Sequence, residues 1–98
     1  MKWLSVLALV VISQLTAAYE LPTKTVALSV HGSGVRDVLE SLLGESGVGY
    51  DIDPQISNDA KINVMARGAW AQIFKRVLDD AKLTYGFDTS GKILVIKN

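Results

Sequence analysis

The sequence contains no cysteine. That rules out a disulfide framework, the common reinforcement of small exported domains. It also rules out thiolate metal sites and a thiol nucleophile. There is a single histidine, His31, so a centre built from several histidines is excluded too. Charge of one sign is missing: 10 basic and 10 acidic residues cancel. No basic patch or charged tail marks a nucleic-acid partner. A G-x-S-x-G nucleophile elbow and a phosphate-binding loop are both absent, and Gly32-Ser33-Gly34 is too short for a dinucleotide fingerprint. The sequence therefore nominates no catalytic residue, no metal ligand and no cofactor, and the expectation is a protein that is not an enzyme. A small enzyme or ligand carrier would call for a cluster of perturbed carboxylates around a pocket, and no such cluster is visible.

What is present begins with an exported-protein signature. Lys2 precedes an apolar run from Trp3 to Leu15, and Thr16-Ala17-Ala18 follows. A basic start, a short apolar stretch and small residues read as a secretory signal peptide cleaved after Ala18. The run covers 13 residues, whereas a membrane-spanning helix takes about 20; an uncleaved anchor is the alternative. No cysteine is available there for lipid attachment. Residues 1–18 are thus assigned to the signal, 19–24 to a leader and 25–98 to one domain. Residues 19–98 carry one net negative charge. A core of that size only narrowly offsets chain entropy, so the domain holds by packing alone or leans on partner subunits.

Within the domain, hydrophobic spacing changes period several times. Val26, Leu28 and Val30 alternate with Thr25, Ala27 and Ser29, which predicts a half-buried strand. His31-Gly32-Ser33-Gly34 is expected to break it, with Ser33 as the helix N-cap. Val35, Val38, Leu39, Leu42 and Leu43 then share one helical face, ended by Gly44 or Gly47. Val48, Tyr50 and Ile52 alternate, Asp53-Pro54 stops the strand, and Gln55 to Ala60 reads as a polar connection. The plan then repeats. Ile62, Val64 and Ala66 alternate until Arg67-Gly68, Trp70 to Ala81 repeats the helical spacing, and Leu83, Tyr85 and Phe87 alternate. Thr89-Ser90-Gly91 turns into a last apolar strand, forming a hairpin. Helices and following strands overlay at an offset of 35: Val35 on Trp70, Leu39 on Phe74, Val48 on Leu83, Asp53 on Asp88. The preceding strands overlay at 36. The predicted class is α+β: duplicated strand–helix–strand units with a terminal hairpin strand, two helices packed on small mixed sheets.

Several residues invite functional readings. Asp51, Asp53, Asn58 and Asp59 bracket Pro54, but their spacing lacks the alternation, central glycine and closing glutamate of a calcium loop; a polar turn is expected. Lys75 with Asp79 and Arg76 with Asp80 are spaced for helix-face ion pairs. Trp70 has the phase of a core residue. A small open sheet leaves unpaired backbone groups that can accept a partner strand. The candidate edges are Thr25–Val30 and Ile62–Arg67. Outward side chains Thr25, Ser29, Asn63, Met65 and Arg67 are the candidate partner-binding residues, with Met65 apolar on a nominally polar phase. The leader is the other candidate to cover these edges.

Two segments carry a resemblance. They are Gly34-Val35-Arg36-Asp37-Val38-Leu39-Glu40-Ser41-Leu42-Leu43 with Gly47-Val48-Gly49-Tyr50-Asp51-Ile52-Asp53-Pro54, and Ala69 to Leu78 with Leu83-Thr84-Tyr85-Gly86-Phe87-Asp88, Gly91 and Ile93–Ile96. Together they resemble the short N-terminal domain shared by secretins and TonB-dependent transducing receptors, across about residues 25 to 97. The matching positions are mostly packing positions, so the resemblance speaks more to fold than to role. In that family the domain opens a longer chain, whereas this sequence stops at Asn98. A free-standing version or a truncated product is expected. The resemblance implies a periplasmic adaptor or structural module of an envelope secretion, pilus or phage-extrusion complex in a Gram-negative cell. Implied partners are a secretin or an inner-membrane secretion subunit, with membrane association only through the partner and oligomerisation open. The alternative it implies is a signalling module that binds an anti-sigma regulator.

Overall fold

The computed structural model of the chain describes residues 20–97. The expected signal peptide at 1–18, the leader's Tyr19 and the final Asn98 lie outside the described residues. The elements are β1 (Thr25–Gly34), α1 (Val35–Ser46), β2 (Tyr50–Ile52), β3 (Lys61–Ala69), α2 (Trp70–Ala81), β4 (Leu83–Phe87) and β5 (Ile93–Lys97). This is the small α+β fold that the alternating periods predict. β1 and β3 form an antiparallel ribbon. β2, β5 and β4 form a second sheet in that order, with β2 parallel and β4 antiparallel to β5.

The strands run further than their composition suggests. β1 continues through the expected break at His31–Gly34, and β3 through Arg67-Gly68, each ending on the residue before a helix. Gly34 (φ −64°, ψ 136°) and Ala69 (φ −63°, ψ 136°) occupy equivalent N-cap positions, and neither helix has a side-chain cap of its own. Ser33 is therefore not the cap. The first amides of a helix have no partner inside it, and here the other half of the chain supplies one. Val35 N–H donates to the Ala60 carbonyl at 3.0 Å, and Trp70 N–H to the Lys24 carbonyl at 2.8 Å. Ala60 and Lys24 immediately precede β3 and β1. Each strand's lead-in thus caps the helix that follows the other strand. A second bond reinforces each cap: Asp37 N–H to Asn58 Oδ1 at 3.0 Å and Ala71 N–H to the Pro22 carbonyl at 3.1 Å. The Asn58 side chain occupies the space a Cβ on Gly34 would need, so this close approach requires glycine at 34.

The duplication extends into the turns. Asp53 Oδ1 accepts the Gln55 amide and Asp88 Oδ1 the Ser90 amide, both at 2.9 Å. Ile56 N–H returns to the Asp53 carbonyl at 2.9 Å and Gly91 N–H to the Asp88 carbonyl at 3.1 Å. Asp88 also accepts the Ser90 hydroxyl at 2.7 Å and the Lys92 amide at 2.9 Å. These bonds, the Ser90 hydroxyl foremost, hold its carboxyl below the usual aspartate range. A lowered carboxyl favours the folded hairpin above that range, and this contribution is lost as pH falls through the folded value.

Both helices press their apolar faces into one core. Leu39, Leu43, Trp70, Phe74, Val77 and Ile93 have no exposed surface. Trp70 stacks on Phe74 at 4.7 Å, Phe74 meets the edge of Tyr85 at 5.5 Å, and Tyr85 meets Phe87 at 6.0 Å. Such pairs contribute about 0.5–1.5 kcal/mol each beyond burial. Trp70 Nε1 donates to the Leu42 carbonyl at 2.8 Å, which joins α2 to α1. Ile56, in the stretch expected to be a polar connection, is buried. Arg36 holds it there: one terminal nitrogen donates to the Asp53 and Ile56 carbonyls at 3.2 and 2.9 Å, and Nε pairs with Glu40 at 3.2 Å. The expected Lys75–Asp79 and Arg76–Asp80 pairs do not form. The ion pairs among the described residues are Arg36–Glu40 and Lys92–Asp51. Exposed helix pairs gain little over hydration, and all four of those α2 side chains belong to exposed residues.

Two stability experiments follow from this packing. Trp70→Ala removes the largest buried side chain together with the bond between the helices. It should cost about 3–5 kcal/mol, enough to leave the domain largely unfolded by far-UV circular dichroism at ambient temperature. Gly34→Ala should destabilise strongly while Asn58 is present and much less in an Asn58→Gly background, which removes the Asn58 Cβ as well as its amide and where about 1 kcal/mol is already lost with the cap. Urea unfolding of the two single variants and the double variant measures the coupling; strict additivity would contradict the steric reading.

Candidate functional site

The ribbon has two faces of different chemistry. Its register sets Thr25 opposite Ala69, Ala27 opposite Arg67, Ser29 opposite Met65 and Val30 opposite Val64. Val26, Leu28, Val30, Ile62, Val64 and Ala66 face the core. Thr25, Ala27, Ser29 and His31 of β1 and Lys61, Asn63, Met65 and Arg67 of β3 are exposed. All five residues proposed from sequence, Thr25, Ser29, Asn63, Met65 and Arg67, therefore share one outer face. Met65 is 82% exposed, the most solvent-facing large apolar side chain described. Ser29, His31, Asn63 and Met65 border a shallow open depression on this face.

The Trp70–Lys24 bond also sets the phase of the ladder. Directly opposed residues of an antiparallel pair alternate between bonded and non-bonded. Because Lys24–Trp70 is bonded, Val26–Gly68, Leu28–Ala66 and Val30–Val64 are the bonded pairs that follow. Thr25, Ala27 and Ser29 then direct their N–H and C=O groups away from β3, and Met65 and Arg67 direct theirs away from β1. Among the described residues no further strand joins either side of the ribbon. Among the described residues the leader adds no strand to these edges; its Pro22 and Lys24 carbonyls are spent on the start of α2.

A bulge interrupts the ribbon where His31 and Gly32 together oppose Asn63. Gly32 adopts φ 62°, a left-handed conformation that suits glycine. Its amide donates to Asn63 Oδ1 at 2.6 Å. Asn63 is thus a clasp across the bulge before it is a contact residue, a role that spacing along the chain could not reveal.

The two edges differ. Lys61 and Arg67 place positive charge along β3, while Thr25 to Val30 carry none. Inside, Ile62 and Val64 of β3 are only 5% and 2% exposed. Val26, Leu28 and Val30 of β1 are each only partly buried.

Other candidates resolve into structural tasks. Asp53 and Asn58 bind backbone amides, and Asp51 pairs with Lys92 at 3.5 Å. Among the described residues no group of His, Cys, Asp or Glu is placed to hold a metal ion. No described helix is long and apolar enough to cross a membrane. The second sheet has a small apolar patch that the sequence reading did not separate from the core. Leu94 and Ile96, the latter 43% exposed, sit on its outer face in register with Asp51, Gly86 and Thr84. The available signal was that Ile93 to Ile96 is apolar on both phases of the strand, which one core cannot bury.

Asn63→Ala should open the bulge. The Gly32 amide is expected to exchange with solvent faster, with about 1 kcal/mol of global stability lost, and hydrogen exchange followed by NMR reads both effects. Comparison of the chain with family models, with curated proteins and with solved structures returns no match.

Proposed function

We propose that this chain is a non-catalytic, periplasmic protein-binding adaptor or structural module of an envelope secretion, pilus or phage-extrusion complex, and that it takes a partner strand along the β1–β3 ribbon. The observation that carries the binding mode is the ribbon itself, a two-stranded antiparallel sheet with an outward row of backbone donors and acceptors along each edge. Strand addition draws affinity from main-chain bonds and selectivity from the side chains that alternate with them. On the β3 edge the selecting side chains are Asn63, Met65 and Arg67. Met65 gives a flexible apolar contact, and Arg67 favours a carboxylate on the incoming strand. The cellular setting rests on the resemblance of the helix and strand segments to the secretin and transducing-receptor domain, together with the export signature of residues 1–18.

The test is capture from periplasm and envelope extract with the tagged chain, identified by mass spectrometry. The adaptor reading expects a secretin or an inner-membrane secretion subunit. Recovery of an anti-sigma regulator instead would move the assignment to signalling. Proline at an outward position deletes one donor without touching the ladder. Ser29→Pro on β1, and Asn63→Pro or Met65→Pro on β3, should each leave the circular dichroism spectrum native. The variant on the edge in use should weaken capture by roughly tenfold, the equivalent of one or two main-chain bonds. Met65→Pro is the cleaner β3 probe, because Asn63 also clasps Gly32.

A further inference from the structure

We infer that the β1 edge pairs with β1 of a second copy of this chain, in antiparallel register about Leu28, making a continuous four-stranded sheet in the order β3, β1, β1, β3. The inference deepens the strand-addition reading, rests on it for the use of ribbon edges, and assigns one edge to self-association, leaving β3 for the other partner.

Three observations carry it. First, the Thr25–Val30 stretch of β1 lacks the features that keep an edge solitary. Unpaired edge strands are usually protected by charge, proline or a bulge. Thr25 to Val30 contain no charged residue and no proline, and the bulge comes only at His31–Gly32. β3 does carry protecting charge, at Lys61 and Arg67.

Second, the apolar row of β1 is unfinished. Val26, Leu28 and Val30 pack against the core yet are only partly buried, while Ile62 and Val64 beside them are buried. A strand laid along β1 with apolar residues at alternate positions would extend that row and cover its open side.

Third, β1 itself is such a strand, and of the registers that oppose its outward residues the one about Leu28 also pairs Val26, Leu28 and Val30 among themselves, whereas one about Ala27 would set Val30 opposite Lys24. In an antiparallel pair the residues with outward N–H and C=O must oppose one another; in β1 these are Thr25, Ala27 and Ser29. Placing Leu28 opposite Leu28 of the second copy sets Ala27 opposite Ser29 as a bonded pair. The same register sets Val26 opposite Val30, so both copies align their apolar residues on the core side. On the other face Thr25 meets His31, and no like charges meet. The contact is isologous and closes after two copies. A single pair of short strands buries less than the roughly 1,200–2,000 Å² of a stable interface, so the dimer should form reversibly with concentration.

The experiment is sedimentation equilibrium of the purified chain from low micromolar to near-millimolar concentration, with amide hydrogen exchange measured across the same range. A monomer–dimer equilibrium is expected, with the Ala27 and Ser29 amides gaining protection as concentration rises while those of Met65 and Arg67 do not. Ala27→Lys sets like charges diagonally across the two-fold axis. It should weaken dimerisation by about tenfold or more, with an unchanged circular dichroism spectrum, whereas Met65→Lys on the other edge should not. Because the chain has no native cysteine, Leu28→Cys should oxidise to a covalent dimer and Met65→Cys should not. A chain that sediments as a monomer throughout, or protection that grows at Met65 and Arg67 instead, would overturn the inference. A monomer that still captures a secretion subunit would sink self-pairing alone. A dimer that captures no envelope protein would sink the adaptor reading and leave self-pairing standing.

Discussion

The exchange of helix caps across the β1–β3 ribbon is the constraint on which the rest of the structure depends. Val35 N–H reaches the Ala60 carbonyl, and Trp70 N–H reaches the Lys24 carbonyl. Both bonds lie at the ends of the same ladder, so both are correct only in one register. A slip of one residue would turn one strand's apolar set to solvent, either Val26, Leu28 and Val30 or Ile62 and Val64, and leave the helix starts without their caps. Secondary structure and tertiary pairing are therefore specified together. Neither helix relies on a side-chain cap from its own turn: α1 takes the Ala60 carbonyl and the Asn58 side chain, and α2 the Lys24 and Pro22 carbonyls. This mutual dependence lets a domain without disulfides hold a fixed topology: the local and long-range choices agree.

Much of that topology was legible in residue spacing, because burial on one face imposes a period. The runs through Val26–Val30, Val35–Leu43, Ile62–Ala66 and Trp70–Ala81 show the period directly, and each element formed where its run lies. The offset of 35 residues was legible too and persists even in the Asp53 and Asp88 turns. What escaped were contacts between residues far apart in sequence. Ser33 had the right chemistry for a cap, but Asn58, from another loop, does that work and excludes any side chain at Gly34. Ile56 stands among polar residues and carries no period of its own. Its burial depends on Arg36 binding the carbonyls around it, an interaction invisible from composition. The strand ends were misplaced for a related reason: glycine at 32, 34 and 68 suggests a break, yet the ladder continues because the opposite strand supplies partners.

For the candidate site the balance differs. The outward residues of each strand follow from alternation alone, so Thr25, Ser29, Asn63, Met65 and Arg67 could be named before any pairing was known. That β1 and β3 pair with each other could not be deduced the same way, nor could the bulge that turns Asn63 into a clasp. The phase of the ladder needed a single long-range bond, from Trp70 to Lys24, to show which backbone groups face outward. Those same residues place their side chains on the exposed face, so donors and specificity elements lie on one strip.

A ribbon of this kind suits recognition by strand addition because the core spends its large apolar residues elsewhere. Trp70, Phe74, Tyr85 and Phe87 form one chain of ring contacts around α2 and β4, so the second sheet and the helices anchor the fold while the ribbon contributes smaller aliphatic side chains. Its outer face offers backbone groups, the Thr25 and Ser29 hydroxyls, the His31 imidazole, the Asn63 amide, one flexible thioether and the cations of Lys61 and Arg67. Such a set discriminates weakly by shape and well by direction, since a partner must be extended, in phase and of suitable charge to engage it. The difference between the edges follows from the same reasoning. β3 presents two cations, Lys61 and Arg67, and an exposed Met65 beside its outward backbone groups, which favours a partner of different sequence carrying acidic residues. β1 presents only neutral side chains and an aliphatic row matched by its own sequence. Two edges of one ribbon can therefore serve two kinds of partner without competing, because their outward backbone groups point in opposite directions.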